Sequence, residues 1–181
     1  AARIRRHWSL ALPAGSSNVL EKSIANTARL PFLRAHFAPA YIIHLVRDGY
    51  AVAEGIRRRG QPRRFGRHEF GDAYPIELCA EQWRASLEQV ETDRSGLDHY
   101  LEVLYEDLVA DAAGQLEHIT AFLGLPPLSA HASGGDFTIH GLRSGIRNMN
   151  ADSIARLSQG DVDTIERVAG PVLERCGYAR P

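Results

Sequence analysis

The sequence contains little cysteine, one lysine and no long apolar run, and each scarcity excludes a class of protein. Two cysteines stand among 181 residues, and their wide separation lacks the close spacing of zinc-binding pairs. We therefore expect no metal site, free thiols and a cytoplasmic location. No apolar run approaches the roughly 20 residues that cross a bilayer, so we expect no membrane span. Walker-type phosphate loops, dinucleotide-binding motifs, zinc-protease motifs and hydrolase nucleophile motifs are absent too.

The charge is nearly balanced, which argues against a nucleic-acid-binding or membrane-surface protein. Arginine and lysine total 21 residues against 22 acidic residues, for a net charge of −1. The only lysine is Lys22, and six arginines cluster in the segment Arg57–Arg67. Because arginine binds phosphate and sulfate oxygens through two parallel hydrogen bonds, we interpret this segment either as a solvated loop or as an anion site.

Two apolar runs predict buried strands, and helical patterns lie between and after them. Tyr41–Val46 is a β-branched and aromatic run typical of a strand covered on both faces, and Asp48 can cap a helix that continues to Arg59. Tyr100–Tyr105 predicts a second strand. The pattern also predicts a short strand at Ser17–Glu21, helices at Asn26–Phe37, Glu77–Arg94, Leu108–Leu123 and Val162–Cys176, and irregular chain at Gly60–Tyr74 and Pro126–Asn150. Strands alternating with helices predict an α/β domain with a mostly parallel sheet.

Polar residues follow each predicted strand, at the edge where ligands bind to parallel sheets. Arg47 and Asp48 follow the first strand, and Tyr105, Glu106 and Asp107 stand at the end of the second. We expect Asp107 to cap a helix and Glu106 to bond to arginines. An arginine at a strand end beside a helix N-terminus is well placed for an anion, so this edge is the predicted functional site.

Five stretches, in order along the chain, resemble the sulfotransferases that use 3′-phosphoadenosine 5′-phosphosulfate (PAPS). They are EKSIAN (21–26), FAPAYIIHLVRDGYAVAEGIRRR (37–59), LEVLYEDLV (101–109), FLGLP (122–126) and the tail RSGIRNMNADSIARLSQGDVDTIERVAGPVLERCGY (143–178). The likeness is greatest to the branch with protein-tyrosine sulfotransferases and their bacterial relatives. It implies a P-loop-NTPase-like α/β fold, no metal, and transfer of a sulfuryl group from PAPS to a hydroxyl acceptor. A sugar, a phenol, a peptide tyrosine and a lipid all remain open as that acceptor.

The resemblance implies that several residues hold the nucleotide, whose product form is adenosine 3′,5′-bisphosphate. Arg47 of the VRDG turn and Arg59 match arginines that bind the 3′-phosphate. Gly55 stands where the family has a phosphate-binding serine, so one hydroxyl donor is missing here. Tyr105 matches a tyrosine that contacts the nucleotide, and Arg156 matches a basic residue that reaches the 3′-phosphate.

Two further residues are implied to act on the transferred group. Lys22 matches a lysine that stabilises negative charge on the bridging oxygen of the leaving phosphate. Ser144 matches a serine near the sulfate. Both are therefore predicted catalytic residues, and Ser144 is a predicted nucleotide contact as well.

The family's phosphosulfate loop, of the form RSGTT, has no match in the sequence, and its general base has none either. The resemblance starts at EKSIAN, which lies downstream of both in the family. We therefore expect residues 1–181 to form the C-terminal two-thirds of one sulfotransferase domain, without its first strand, loop and helix, and to be inactive alone. The opening AARIRRHWSL, which has no initiator Met, is expected to be interior sequence.

Two alternatives stay open at this level. Gly55 and the missing loop also fit a non-catalytic, degenerate sulfotransferase-like binding domain. Nucleic-acid binding through Arg57–Arg67 is a third reading, against which the net charge argues. The expected partner is a hydroxyl-bearing acceptor rather than nucleic acid, and a homodimer is left open.

Overall fold

The computed structural model describes residues 1–13, 15, 16, 18–127, 137–139 and 142–181. Its helices are α1 (Ala2–Ala11), α2 (Leu30–His36), α3 (Gly49–Arg59), α4 (Ile76–Asp93), α5 (Tyr105–Ala110), α6 (Ala112–Phe122), α7 (Asn150–Ile154) and α8 (Gln159–Arg175). Its strands are β1 (Tyr41–Val46), β2 (His99–Leu104), β3 (Phe137–Ile139) and β4 (Leu142–Ser144). Short 3-10 turns cover Ile24–Ala28, Pro62–Phe65, His68–Phe70 and Arg94–Gly96. Of these described helices, none is long and apolar enough to cross a membrane.

Strands β1 and β2 pair in parallel, as the alternation of strands and helices predicts. The pairing ends with Val46 opposite Leu104, so both strands finish at the same edge. Arg47 directly follows β1 and Tyr105 directly follows β2, so both residues lie at that edge of the sheet. The parallel pair among helices confirms the predicted α/β class.

Helix α3 begins directly after β1 because Asp48 caps it, as predicted. Asp48 Oδ1 accepts hydrogen bonds from the backbone N–H groups of Tyr50 at 2.8 Å and Ala51 at 3.3 Å. Gly49 follows, where a Cβ would stand 2.9 Å from the Trp83 ring of α4. Only glycine therefore allows α4 to pack this closely on the first turn of α3.

The described core lies where α3, α4 and α8 meet. Burying one large aliphatic side chain there, such as Ile165 at 0% exposure, contributes about 1.5–3 kcal/mol. Helix α8 starts with a capping box, in which the Ser158 and Asp161 side chains accept each other's backbone N–H groups. The buried members of the core are Tyr50, Ala53, Cys79, Ala80, Trp83, Val162, Ile165, Ala169, Val172 and Leu173.

The predicted strand Ser17–Glu21 is wrong. Residues 18–21 have no regular structure, and Val19 and Leu20 are 46% and 90% exposed. Apolar residues favour a strand where they pack on a half-buried pleated surface, and these two do not. No element is predicted before this segment, yet Ala2–Ala11 forms α1, none of whose residues is buried.

Two predicted helices are each interrupted by a residue that starts a second element. Asn26–Phe37 comprises the end of a 3-10 turn and α2, which meet at Arg29. Leu108–Leu123 breaks at Asp111, whose side chain accepts a hydrogen bond from the Gly114 N–H at 3.0 Å and starts α6. Aspartate competes with the helix for backbone N–H groups, which is why the break falls there.

The predicted irregular segment Pro126–Asn150 is partly regular. Strands β3 and β4 form a short antiparallel pair, with Phe137 opposite Ser144, so the prediction is wrong for these two strands. Residues 128–136, 140 and 141 of the same segment lie outside the described residues.

Candidate anion-binding site

Arg47 is held on three sides at the carboxyl end of β1. Its Nε donates a hydrogen bond to Asn150 Oδ1 at 2.8 Å, and its main-chain oxygen accepts one from Trp83 Nε1 at 3.0 Å. Its guanidinium carbon lies 4.4 Å from the centroid of the Tyr105 ring, a cation–π contact. Its Nη2 is buried and has no hydrogen-bond partner among the described residues. A buried, charged donor without an acceptor fits an anionic ligand.

Glu106 anchors the neighbouring strand end, but not through arginine. Its Oε1 accepts hydrogen bonds from the Asp48 N–H at 3.2 Å and from Asn150 Nδ2 at 2.6 Å. Its Oε2 accepts one from the Tyr178 hydroxyl at 3.1 Å. The expectation that Glu106 bonds to arginines is therefore wrong. Its carboxylate instead accepts from one main-chain N–H, one side-chain amide and one hydroxyl. Burial, with the charge of Glu106, raises the pKa of Tyr178 and keeps its proton on this bond.

The predicted cap at Asp107 is also wrong. Helix α5 starts at Tyr105, directly after β2. Its N-cap residue is Leu104, whose side chain makes no capping hydrogen bond. Asp107 thus lies inside the first turn, where its carboxylate faces the positive end of the helix dipole instead of capping it.

Asp48 contributes a second half-buried carboxylate to this edge. Burial raises its pKa, and the nearby charge of Glu106 adds to that rise. The hydrogen bonds from Ala51 and Tyr50 and the charge of Arg47 oppose it without cancelling it. The Oδ1 atom of Asp48 is occupied by the cap, which gives this carboxylate a structural role at the start of α3.

The chain segment before α7 is hydrogen-bonded to Tyr105, the residue that follows β2. The Tyr105 hydroxyl donates to the main-chain oxygen of Arg147 at 3.0 Å and accepts from the Met149 N–H at 3.0 Å. Asn150, which is 8% exposed, bridges Arg47 and Glu106. Sequence reasoning missed Asn150, since one asparagine in the stretch IRNMNADS has no spacing that singles it out.

Gly55 and Arg59 lie further along α3, seven and eleven residues after Asp48, and therefore on the same helix face as that cap. A Cβ built on Gly55 meets no atom within 4 Å, so the missing side chain leaves open space. The Arg59 side chain is exposed and makes no hydrogen bond or ion pair with the described residues.

The other five arginines of Arg57–Arg67 are each bonded to another side chain of the protein. Their closest contacts are 2.6 Å for Arg57–Asp161, 3.2 Å for Arg58–Glu54, 3.1 Å for Arg63–Asp72, 3.3 Å for Arg64–Gln61 and 2.7 Å for Arg67–Glu69. This pairing weakens the interpretation of the whole segment as one anion site and limits that interpretation to Arg59.

Arg156 reaches α3, where Glu54 holds it. Its Nε and Nη2 donate to the two Glu54 carboxylate oxygens at 2.8 and 3.2 Å, and Nη2 also lies 3.3 Å from Ser153 Oγ. Glu54 is 2% exposed and contacts Arg58 as well. Burial alone raises the pKa of Glu54, but the bonds and charges of these two arginines outweigh it and lower the pKa. Two nitrogens of Arg156 are thus committed to Glu54, the residue that precedes Gly55 in α3.

Glu54→Gln is expected to lower the free energy of unfolding at neutral pH by about 1.5–3 kcal/mol, because hydrogen bonds between charged partners are lost. Since folding lowers the pKa of Glu54, its contribution is present above the unfolded pKa and is lost as the pH falls through the folded value. Urea unfolding at stepped pH down to about pH 3 should show wild type and variant converging below about pH 4.3. Glu77→Gln, which breaks the exposed pair with Arg167, is the control and should cost less than about 0.5 kcal/mol. A Glu54→Gln effect that is independent of pH contradicts the prediction.

The structure does not bring Lys22 into contact with Arg47 or with the residues that bond to it. Lys22 is exposed and makes no hydrogen bond or ion pair with the described residues. It lies two residues before the 3-10 turn Ile24–Ala28, which packs against α4, the helix that carries Trp83. Ser144 ends β4, and its side chain lies outside the part of the chain that the structure describes.

A cavity of about 250 Å³ opens between α3, α4 and the predicted loop Gly60–Tyr74. Burial raises the pKa of the Cys79 thiol in its wall to about 11, so this cysteine stays protonated at neutral pH. In the described ranges, no group of histidine, cysteine and acidic residues has the arrangement of a metal site. The cavity is lined by Ile56, Arg67, Phe70, Tyr74, Leu78, Cys79 and Gln82.

Comparison with known proteins decides the family. A sequence profile described as "Sulfotransferase family" matches residues 2–129 of the chain. The chain belongs to the sulfotransferase family. This confirms the predicted family, and the predicted branch within it stays a prediction. Among curated protein sequences, none matches the chain significantly.

The fold of this sulfotransferase-family chain is also similar to a solved one. The match is to a structure titled "Sulfotransferase Domain from the Curacin Biosynthetic Pathway", with a TM-score of 0.62 and 22% sequence identity. The match covers 87% of this chain and 60% of that one, so the chain spans less than two thirds of the domain it resembles. The likeness extends the confirmed α/β class to the sulfotransferase-type arrangement.

Proposed function

We propose that this protein transfers a sulfuryl group from PAPS to a hydroxyl acceptor by in-line displacement. Membership of the sulfotransferase family supports sulfuryl transfer. The observation that carries the choice of a phosphorylated donor is Arg47, whose buried Nη2 lacks an acceptor at the carboxyl end of β1. Bound PAPS supplies the sulfuryl group and a 3′-phosphate whose oxygens match the two-pronged geometry of a guanidinium.

In this proposal the Arg47 guanidinium binds the 3′-phosphate. The Tyr105 ring contacts this guanidinium, and Asn150 accepts a hydrogen bond from it. Arg59 approaches the same phosphate from the last turn of α3 and adds a positive charge. Gly55 lies one helical turn before Arg59 and has open space where a side chain would stand. Arg156 adds its remaining nitrogen and its charge.

Lys22 and Ser144 are proposed to act on the reacting end. The acceptor hydroxyl oxygen forms a bond to sulfur while the bond from sulfur to the bridging phosphate oxygen breaks, and the acceptor proton passes to a base. Negative charge grows on the bridging oxygen, and the Lys22 ammonium group stabilises it. Ser144 donates a hydrogen bond near the sulfate. The acceptor is proposed to lie along the Gly60–Tyr74 loop, where the cavity opens.

Isothermal titration calorimetry with adenosine 3′,5′-bisphosphate tests the nucleotide site in the natural full-length protein. We expect saturable binding without added metal. Incubation with ³⁵S-labelled PAPS and a panel of phenols, sugars and tyrosine peptides then tests transfer. Binding with turnover supports the proposal, and the absence of nucleotide binding overturns it. Binding without turnover on any acceptor favours the non-catalytic domain instead.

Gly55→Ser is expected to tighten adenosine 3′,5′-bisphosphate binding about three- to tenfold, because a hydroxyl donor enters open space on the phosphate-facing side of α3. Calorimetric titration measures the change. Gly55→Ala is the matched control, since it adds the same Cβ without a donor. It should leave affinity unchanged while raising the free energy of unfolding by about 0.5–1 kcal/mol through helix propensity. Equal affinities of the serine and alanine variants contradict the prediction.

A further inference from the structure

We propose that Asn150 is a positioning residue, which orients the Arg47 guanidinium toward the nucleotide phosphate and keeps its charge unneutralised. The inference rests on the proposed function, because it assigns a role within the same nucleotide site. Asn150 belongs to the tail that lies beyond the family match at residues 2–129.

The contacts of Asn150 fix the direction of the guanidinium. The Asn150 amide oxygen accepts the Nε–H of Arg47 at 2.8 Å, which blocks rotation about the last bonds of the arginine side chain. The Tyr105 ring holds one face of the guanidinium at 4.4 Å. With Nε occupied and one face covered, the two terminal nitrogens remain to meet an anion, and Nη2 has no partner among the described residues.

The contacts of Asn150 also place its amide between Arg47 and the Glu106 carboxylate. Asn150 Nδ2 donates to Glu106 Oε1 at 2.6 Å, so the amide stands between a guanidinium and a carboxylate that would otherwise pair. The amide side chain accepts from the first and donates to the second while adding no charge. Arg47 therefore makes no ion pair within the described part of the chain, and its full charge is available to a phosphate.

Glu106, to which Asn150 donates, is itself held by two other parts of the chain. Glu106 accepts the Asp48 N–H at the start of α3 and the Tyr178 hydroxyl just after α8. Asn150 is 8% exposed, and both the oxygen and the nitrogen of its side-chain amide are hydrogen-bonded. These contacts hold the side chain in one orientation. The precision of the Arg47 position thus comes from helices that are far apart in sequence.

A double-mutant cycle tests whether Asn150 acts through Arg47. Calorimetric titration with adenosine 3′,5′-bisphosphate compares wild type, Asn150→Ala, Arg47→Ala and the double variant in the natural full-length protein. We expect Asn150→Ala to weaken binding about tenfold in the wild-type background. In the Arg47→Ala background, the same change should have an effect of less than about twofold. An equal loss in both backgrounds, or no loss in either, overturns the inference.

A second variant and a control cover the effect of Asn150 on stability. Asn150→Asp keeps the shape but places a carboxylate against Arg47 and Glu106, so we expect nucleotide binding at least about tenfold weaker. Wild-type affinity in Asn150→Asp overturns the inference. Thr120→Val removes another buried polar group, 6% exposed in α6, and should leave binding unchanged after a similar loss of stability.

The outcomes separate this inference from the proposed function. If wild type binds the nucleotide and Arg47→Ala weakens binding, the proposed site stands whatever Asn150→Ala does. Additive losses then overturn the role of Asn150 alone. If wild type does not bind, both the function and the inference are overturned.

Discussion

Replacing Arg47 with alanine is expected to weaken adenosine 3′,5′-bisphosphate binding by about 100-fold or more. Two hydrogen bonds between a guanidinium and a phosphate are lost, each worth about 1.5–3 kcal/mol. Arg47 is only partly buried and its Nη2 bonds to nothing in the described chain, so the fold should survive. Titration calorimetry measures affinity, and urea unfolding of the same samples shows that the domain is intact.

Two arginine variants make the Arg47 result specific. Arg47→Lys keeps a positive charge but loses the two-pronged geometry, so we expect affinity between those of wild type and Arg47→Ala. Arg63→Ala removes an exposed arginine paired with Asp72 and should leave affinity unchanged. If Arg63→Ala weakens binding as much as Arg47→Ala, the nucleotide is held by general positive charge and the proposed site is wrong.

Replacing Trp83 with alanine is expected to lower the free energy of unfolding by about 3–5 kcal/mol. Trp83 is 5% exposed, packs against Gly49 at the start of α3 and lies 6.4 Å from the Tyr178 ring centroid. The variant leaves a cavity between α3, α4 and α8 and frees the main-chain oxygen of Arg47. Urea unfolding measures the loss, which is a large part of the total stability of an ordinary domain.

The other tryptophan is a matched control. Trp8→Ala changes the same side chain in α1, where no residue is buried, and should cost less than about 1.5 kcal/mol. Trp83→Phe keeps most of the ring and removes the Nε1 bond to Arg47, so it should cost about 1–2 kcal/mol. Equal losses for Trp8→Ala and Trp83→Ala contradict the assignment of the core to the α3–α4–α8 junction.

The β1–α3 unit could be predicted because its signals are local. The apolar run Tyr41–Val46 ends one residue before Arg47, and the Asp48 cap bonds to N–H groups two and three residues later. The same locality made β2 predictable to within one residue. The strand predicted at Ser17–Glu21 failed, because a strand depends on a neighbour and on burial, which composition does not report.

The candidate site was predictable only in part. Arg47 and Tyr105 follow the two strands, so the rule that parallel strands end at one edge was enough to place them together. Asn150 bonds to Arg47 across 103 residues, and no local pattern carries such a pair. The bonds of Arg156 to Glu54 span 102 residues and could not be predicted from the sequence either. Hydrogen bonds of this kind exist only once the chain has folded.

By itself, the sequence determined the α/β class, the β1–α3 unit, the sulfotransferase resemblance and the arginine expected to meet an anion. These follow from neighbours in the chain, because strand runs, helix caps and motifs act over a few residues. Only the tertiary structure decided which arginines pair with acidic residues in the described part of the chain. Ion pairs with Asp161, Glu54, Asp72 and Glu69 occupy four of the six arginines of the Arg57–Arg67 segment, while Asn150 stands between Arg47 and Glu106. Whether a charge is neutralised or left for a ligand depends on which distant groups the fold places within about 3 Å of it.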